Sequence, residues 1–513
     1  MMKKHRYLLA FAAVFVGMLL LYVCVQRGQQ ESAEKKTGLA YHSLAEADGK
    51  AMGIVTGTIL DKMTQKYLPH SPGIYYNTHV DCLNALQLGK IEGFLVDEPI
   101  ARMMKQQNPG IDYLEEKVQP DFLAAGISKK RPELKAVIDA GLEGYRQDGT
   151  LAAMDTAWFS TDESLKVMPE HREGTKGTVV CGVAVTAAPM VYVRDGQLIG
   201  YEAALVQRIL QNAGYTIELQ NMDFSALIPS LASGKVDMII GSISITEERK
   251  KSLLFTEPLY DSGIVLVVKN YDTALPEPGF WDSMKDGFYR NFILEDRYKM
   301  ILDGLKVTLI ITVFAALLGT ILGFLVCILL KSQYAVVRWA MWGYIKVMQG
   351  TPLVVLLMIL YYIVFGNHAI DPVIVAVFAF GINMAAYVSL MMRSGIDAVE
   401  PGQWEAAYAM GFNRTKTFLK IIAPQALHYV LPVYTGEFIS LLKMTSVVGY
   451  IAIMDLTKMS DIIRSRTYEA FFPLIITAVI YMFAAWLLTA GFSYLEYRID
   501  PKRRSRRLKG VKL

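Results

Sequence analysis

Four residues of the stretch EAAYAMGFNRTKTFLKIIAP, at 405–424, have the types and spacing for recognition chemistry: Glu405, Ala406, Ala407 and Gly411. Ala406 and Ala407 keep one side of a short helix nearly flat, and Gly411 permits a backbone conformation that a residue with a Cβ resists. Glu405, Arg414, Lys416 and Lys420 add charge, so the stretch lies in water although apolar runs long enough to cross a bilayer flank it. The pattern predicts a helix, a tight turn and a second helix stopped by Pro424, a knob shaped to dock into a partner's groove. Any charged helical loop between membrane helices can look alike, and the four residues alone do not exclude that. A second group, Gly57 and Thr58 in GKAMGIVTGTILDKM, stands where a strand turns into a helix, with amides and a hydroxyl open to an anion. Bond-making chemistry has little support. Asp97 ends a strand in GKIEGFLVDEPIARMM without a nearby histidine or second carboxylate, too little for an acid–base pair. The few histidines lack metal-ligand spacing, and no GxxxxGK[ST] phosphate loop occurs.

These residues need both soluble and membrane elements to position them. At 513 residues the chain exceeds one ordinary domain. Hydrophobic residues make up 53% and the mean hydropathy is +0.30, so part of the apolar content faces lipid. The net charge of +4 conceals a basic C-terminus, IDPKRRSRRLKGVKL, which reads as an orientation signal or a solvated tail. No aromatic or recognition motif accompanies it, so nucleic acid is not an expected partner. Cys24, Cys82, Cys181 and Cys327 fall in separate blocks and are expected as free thiols.

In chain order, residues 1–37 read as a membrane anchor or signal. Lys3, Lys4 and Arg6 precede an apolar run at 7–25; an uncleaved anchor is preferred, because Val23 stands where a lipoprotein site at Cys24 wants a small residue. Residues 38–165 alternate strand and helix. A linker, TDESLKVMPEHREGTKG, leads to a second α/β block at 178–269. Residues 270–298, polar and aromatic with Pro276, Pro278 and Gly279, read as a tether. Five spans are expected at 303–330, 341–366, 372–392, 428–454 and 471–495, the fourth carrying Pro432, Glu437 and Lys443, which should face a bundle interior or a pathway. With the anchor, six crossings put Lys331, Arg338, the 393–420 loop and the basic tail at 501–513 on the inner side, and the α/β blocks outside.

The run PQALHYVLPVYTGEFISLLKMTSVVGYIAIMDL, with QGTPLVVLL at 349–357 and MMRSGIDAVEPGQWEAA at 391–407, resembles the permeases of ATP-binding-cassette (ABC) importers for polar amino acids, of the histidine, glutamate, glutamine and arginine type. The resemblance covers roughly 297–500 and implies an all-α type I ABC permease fold over 299–500. Its EAA loop, at 400–425, has Glu405, Ala406, Ala407 and Gly411 at the signature positions and inserts into a cytoplasmic ABC ATPase dimer. ATP and Mg then belong to that partner, with no cofactor in this chain, and a homodimer is the simplest membrane assembly. The two α/β blocks resemble the bilobed (type II) solute-binding proteins of family 3, but with the second lobe and closing helices ahead of the first lobe. A mixed architecture follows, one binding domain circularly permuted at the hinge ahead of the membrane helices. Two tandem domains that each lost half are the rival reading.

By the same resemblance, Arg249 in SISITEER clamps a ligand carboxylate with Ser242 and Ser244, Thr58 adds a hydrogen bond, and Asp97 takes the ligand's amine. Otherwise Arg249 merely pairs with Glu247, Glu248 or Asp237. The chain departs from the family where AAPMVY puts Ala187 and Met190 at the place of ligand-covering rings, and where Ala204 stands for a usual aspartate. Gln349, Leu390 and Met444 likewise stand where the family has arginine, glutamate and aspartate. These changes bear on which amino acid or related solute is carried. The expected product is a multi-pass cell-membrane importer subunit, its binding domain extracytoplasmic and its C-terminus cytoplasmic. A ligand-gated channel or sensor would need a re-entrant pore segment or signalling domain. An enzyme such as a dehydratase would need a poised acid or base beside Asp97.

Overall fold

The computed structural model describes residues 37–160, 162–185, 188–194, 197–272, 280–366, 370–467 and 469–499. The expected anchor, Cys24, Ala187 and the basic tail lie outside the described residues.

Strands β1 (Met52–Val55), β2 (Gly73–Tyr76), β3 (Gly93–Asp97), β4 (Ile111–Tyr113), β5 (Gln119–Leu123) and β6 (Gly126–Ile127) come from the first block. Strands β7 (Thr178–Ala184), β8 (Tyr192–Arg194), β9 (Gln197–Ile199), β10 (Thr216–Met222), β11 (Met238–Ile240), β12 (Leu254–Phe255) and β13 (Tyr260–Lys269) come from the second. Neither block closes a sheet by itself. The N-terminal lobe has the order β2-β1-β3-β13-β4, with β5 also on β13, and the central lobe has β10-β7-β11-β6-β12. Thus β13 leaves the second block to finish the first sheet, while β6 leaves the first block to join the second sheet. The buried runs of β3 and β13 fit strands covered on both faces. The helices Pro132–Gln147 and Thr150–Trp158 follow β6 and bury Leu134, Ile138, Leu142 and Trp158 in the central-lobe core.

The ends of this bilobed body meet. The Ala40 N–H donates to the Lys269 carbonyl at 2.8 Å, and the Tyr271 N–H to the Gly38 carbonyl at 2.9 Å. Exchanging which neighbouring ends are joined leaves every strand in place, which is the condition a permutation must meet. Two crossings, β5 to β6 and β12 to β13, form the hinge.

Among the described residues three helices are long and apolar enough to cross a membrane: Met284–Leu330, Pro372–Asp397 and Phe471–Ile499. Two further candidates are bent pairs. The span expected at 341–366 is Ala335–Gly350 followed by Leu353–Val364 at 108°, broken where Pro352 lacks an N–H. The span expected at 428–454 belongs to Arg414–Ile451, which bends by 56° into Leu456–Thr467 after Ala452 adopts a left-handed φ of 65°. The helix Arg297–Leu330 exposes Ile310, Phe314, Leu317, Ile321, Phe324 and Ile328 at helical spacing, the pattern of a lipid-facing side. Its opposite side packs closely on Pro372–Asp397. A Cβ at Gly319 would lie 2.9 Å from that of Met384, and one at Gly323 would lie 2.9 Å from that of Val388, the small-residue contact that lets membrane helices approach.

The stretch read as a tether is helical from Phe280 to Ile293: Phe280–Phe288 leads through a wide turn at Tyr289–Ile293, and left-handed backbone at Glu295 and Asp296 then sets the start of the first span. One aromatic residue anchors the stretch: Phe292 packs with Met300, Ile301, Ile462 and Ile463, whereas Trp281, Phe288 and Tyr289 are exposed.

Candidate functional site

A cavity of about 430 Å3 lies between the lobes, and residues of the 446–465 segment of the membrane part complete its lining. Five of the six residues singled out for the ligand line it: Thr58, Asp97, Ser242, Ser244 and Arg249. Met190 does not. It is fully buried in the central-lobe core, so its thioether packs against protein and does not cover the cleft.

Arg249 sits on a short helical turn, Glu247–Lys250, capped by Thr246, whose hydroxyl accepts the Arg249 N–H at 3.2 Å. Its guanidinium donates to the Ser244 carbonyl at 3.0 Å and, across the cleft, to the Gly57 carbonyl at 3.2 Å. The Phe224 ring lies 5.7 Å from its centre, a favourable cation–π placement. The carboxylates that could have claimed it are engaged elsewhere: Glu247 with Lys250, Glu248 with Lys62, and Asp237 with Arg131. Two of the guanidinium's five N–H donors are used in these contacts.

Ser242 is held by a residue that carried no signal in the sequence reading. The buried Glu202 carboxylate accepts from the Gly241 N–H at 2.7 Å and the Ser242 N–H at 3.1 Å, fixing Ser242 at a left-handed φ of 56°. Burial pushes Glu202 up to about 7, while the two backbone N–H groups work the other way. The Ser242 hydroxyl is buried and has no partner. Thr58 is different. Its N–H and its hydroxyl both turn back to the Val55 carbonyl, at 3.4 and 2.7 Å, so the two Thr58 donors expected for an anion are already spent.

Asp97 and Asp121 share the deepest corner. Asp97, at the end of β3, pairs in register with Ile264 of β13, and Asp121 of β5 pairs with Ser262 on the other side of β13. Positions 262 and 264 share one face of the strand, so both carboxyls project from that face. Burial, then the nearby Asp121 and Glu202 charges, raises Asp97 well above the usual carboxylate range. Burial raises Asp121 as well, Asp97 and Asp121 interact directly, and Asp121 also accepts from the Ser244 hydroxyl at 2.7 Å. The other Asp97 oxygen, Oδ1, is buried without a partner. Asp121 lies in a short alternating stretch without a motif, and only strand register could have exposed it.

The 446–465 segment touches both lobes. Lys458 pairs with Asp223 of the central lobe, and Arg464 pairs with Asp81 of the N-terminal lobe at 3.1 Å. Lys235 also lies 4.7 Å above the Tyr361 ring.

Residues 179–438 match the family of bacterial extracellular solute-binding proteins, family 3. The L-cystine transport system permease protein of Bacillus subtilis (strain 168) is 31% identical over 230 residues, covering 44% of this chain and 93% of that protein. The chain belongs to the amino-acid ABC transporter permeases and carries a family 3 solute-binding domain. The arginine transport system permease protein of Bacillus subtilis (strain 168) is 37% identical over 194 residues, 37% of this permease and 87% of that protein. A crystal structure of an amino acid ABC transporter with histidines aligns at 32% identity with a TM-score of 0.38, covering 44% of the permease and all of that chain.

The permease's own motif is well exposed. Glu405, Ala406 and Ala407 lie on the helix Pro401–Ala409; Glu405 and Ala406 face solvent and Ala407 is buried. Gly411 has a φ of 82°, and a Cβ there would meet nothing within 4 Å, so its requirement is conformational. Pro424 does not end the second helix. The chain passes from Arg414–Thr417 through a wide π turn, Phe418–Ile422, into Ala423–Met444. Pro424 falls in the first turn after that widening, where its missing N–H breaks no bond.

Proposed function

We propose that this permease captures an amino acid, of the polar class, in its own outward-facing cleft and passes it through its own membrane helices, driven by a cytoplasmic ATPase. The observation that carries the reading is the shared cavity: both lobes and the 446–465 segment line one space. Arg249 takes the α-carboxylate with its free donors and Ser242 adds its hydroxyl, both in a site screened from water. Asp97, once ionised, takes the α-ammonium through its unpartnered oxygen. Ser244 acts by orienting Asp121, and Thr58 by shaping the turn whose neighbour, Gly57, meets Arg249. L-cystine and arginine, named for two relatives, both carry the two groups this arrangement addresses.

Lobe closure reaches the membrane through Leu456–Thr467, because its two cations hold different lobes. Ligand that favours closure stabilises the state in which both pairs are held at once. On the inner side, Glu405, Ala406, Ala407 and Gly411 present the EAA surface to an ABC ATPase dimer that holds ATP and Mg. Six crossings leave the C-terminus in the cytoplasm, and two copies of the chain form the membrane assembly. Reconstitution with the cognate ATPase tests the scheme. Amino acid added on the binding-domain side should stimulate ATP hydrolysis and drive uptake, and hydrolysis indifferent to every amino acid would contradict it.

A further inference from the structure

The cavity's charges do not balance. Five carboxylates line it: Asp97, Asp121, Asp223, Asp455 and Asp461. Three cations face them: Arg249, Lys458 and Arg464. Two of those cations already have carboxylates of their own at the membrane end. Lys458 is paired with Asp223, and Arg464 with Asp461 at 3.1 Å as well as with Asp81. His79, also in the lining, is buried and held neutral, pushed down to about 4 by desolvation. At the deep end Arg249 therefore stands alone against Asp97 and Asp121, with the unpartnered Asp97 Oδ1 and Ser242 hydroxyl beside it.

A zwitterionic ligand does not settle this corner. Its carboxylate neutralises Arg249 and its ammonium neutralises one aspartate, which leaves the second carboxylate buried and uncompensated at considerable cost. A proton on Asp97, shared with Asp121, relieves the excess when no cation does. A ligand with a second positive charge relieves it without one. We infer that Asp121 selects the charge of the substrate: the cleft prefers an amino acid with a cationic side chain, an amine or a guanidinium, over a neutral or acidic one. The inference rests on the reading of the cleft as an amino-acid site and adds the substrate class. At about 430 Å3 the cavity has the size of ordinary small-molecule sites, and its surplus negative charge also concentrates cations at the entrance.

Calorimetry on the full chain in lipid nanodiscs, with L-arginine, L-lysine, L-ornithine, L-glutamine, L-cystine and L-glutamate as probes, tests this. At least one of the three cationic amino acids should bind about tenfold or more tighter than glutamine, cystine and glutamate. Asp121→Asn should cut that preference to about threefold or less. A neutral or acidic amino acid ranking first, or an undiminished preference in Asp121→Asn, overturns the inference. If Asp121→Asn does not fold, the wild-type ranking decides. Failure of every amino acid to bind would overturn the amino-acid reading of the cleft and this inference with it, whereas glutamine ranking first would overturn this inference alone.

Discussion

The cleft and the EAA knob are built in opposite ways. The knob is one continuous stretch of about twenty residues in which Glu405 and Ala406 are exposed. The cleft gathers residues near positions 58, 97, 121, 202, 242–249 and 446–465, buries Asp97, Asp121, Glu202, Ser242 and Ser244 among them, and is completed by the chain's own membrane segment. A surface that meets another protein is specified locally, by helix spacing and one left-handed glycine. A chamber that must exclude water is specified by topology, above all by β13, which carries neighbours for Asp97 and Asp121 on its two edges.

That contrast can be broken from either side. The largest effect is expected at the knob: Gly411→Val forces a β-branched residue to φ 82° and should abolish uptake in proteoliposomes while ligand binding stays within about twofold of wild type. Gly411→Asn, which tolerates the left-handed region, should keep more transport than Val; equal loss would mean that side-chain bulk, not backbone, is the constraint. In the cleft, Arg249→Ala should weaken amino-acid binding by about 2 to 5 kcal/mol, read by calorimetry. An affinity that hardly moves would return Arg249 to the role of a surface cation.

Glu202 sharpens the comparison through pH. Its folded value lies near 7 against an ordinary 4.5, so the folded state holds the proton more tightly. The stability it contributes is fully present below pH 4.5 and is lost as pH rises through about 7, roughly 3 kcal/mol at most. Melting temperatures from pH 4 to 8 should fall less steeply in Glu202→Gln, which keeps an acceptor for the Gly241 and Ser242 amides. Parallel curves would assign the pH response to Asp97 instead. The smallest effect is expected where cleft and membrane meet. Arg464→Ala should raise the ligand concentration for half-maximal ATPase stimulation about fivefold, near 1 kcal/mol. Asp81→Ala should do the same, and the double variant should add little.

What could be seen from the sequence follows the same division. The helix and left-handed turn of the EAA stretch were legible because that shape is set by adjacent residues, and the place of Arg249 in the cleft because its turn is a local motif. The order of the two blocks was visible in the sequence, yet the shared sheets and the meeting of residues 38–40 with 269–271 emerge only from pairing. Asp121 was missed because nothing in QPDFLAAGI marks its register. Met190 was misplaced because a loop residue's burial depends on distant helices, here the core beneath Tyr201–Asn212. Pro424 was read as a stop because a π turn ahead of it has no sequence signature. The bend after Gly350, by contrast, has one in Pro352, which the expected span at 341–366 ran straight through.

The central claim is that capture and coupling occur on opposite sides of one membrane within one polypeptide. Labelling of intact cells with a membrane-impermeant maleimide tests it most directly, using Lys62→Cys on the binding domain and Glu405→Cys on the knob, each with Cys24→Ser; both positions are exposed, and Cys82, Cys181 and Cys327 are buried. The thiol introduced on the binding domain should react at once, and the thiol introduced on the knob only after permeabilisation. Equal labelling of both in intact cells would contradict the account.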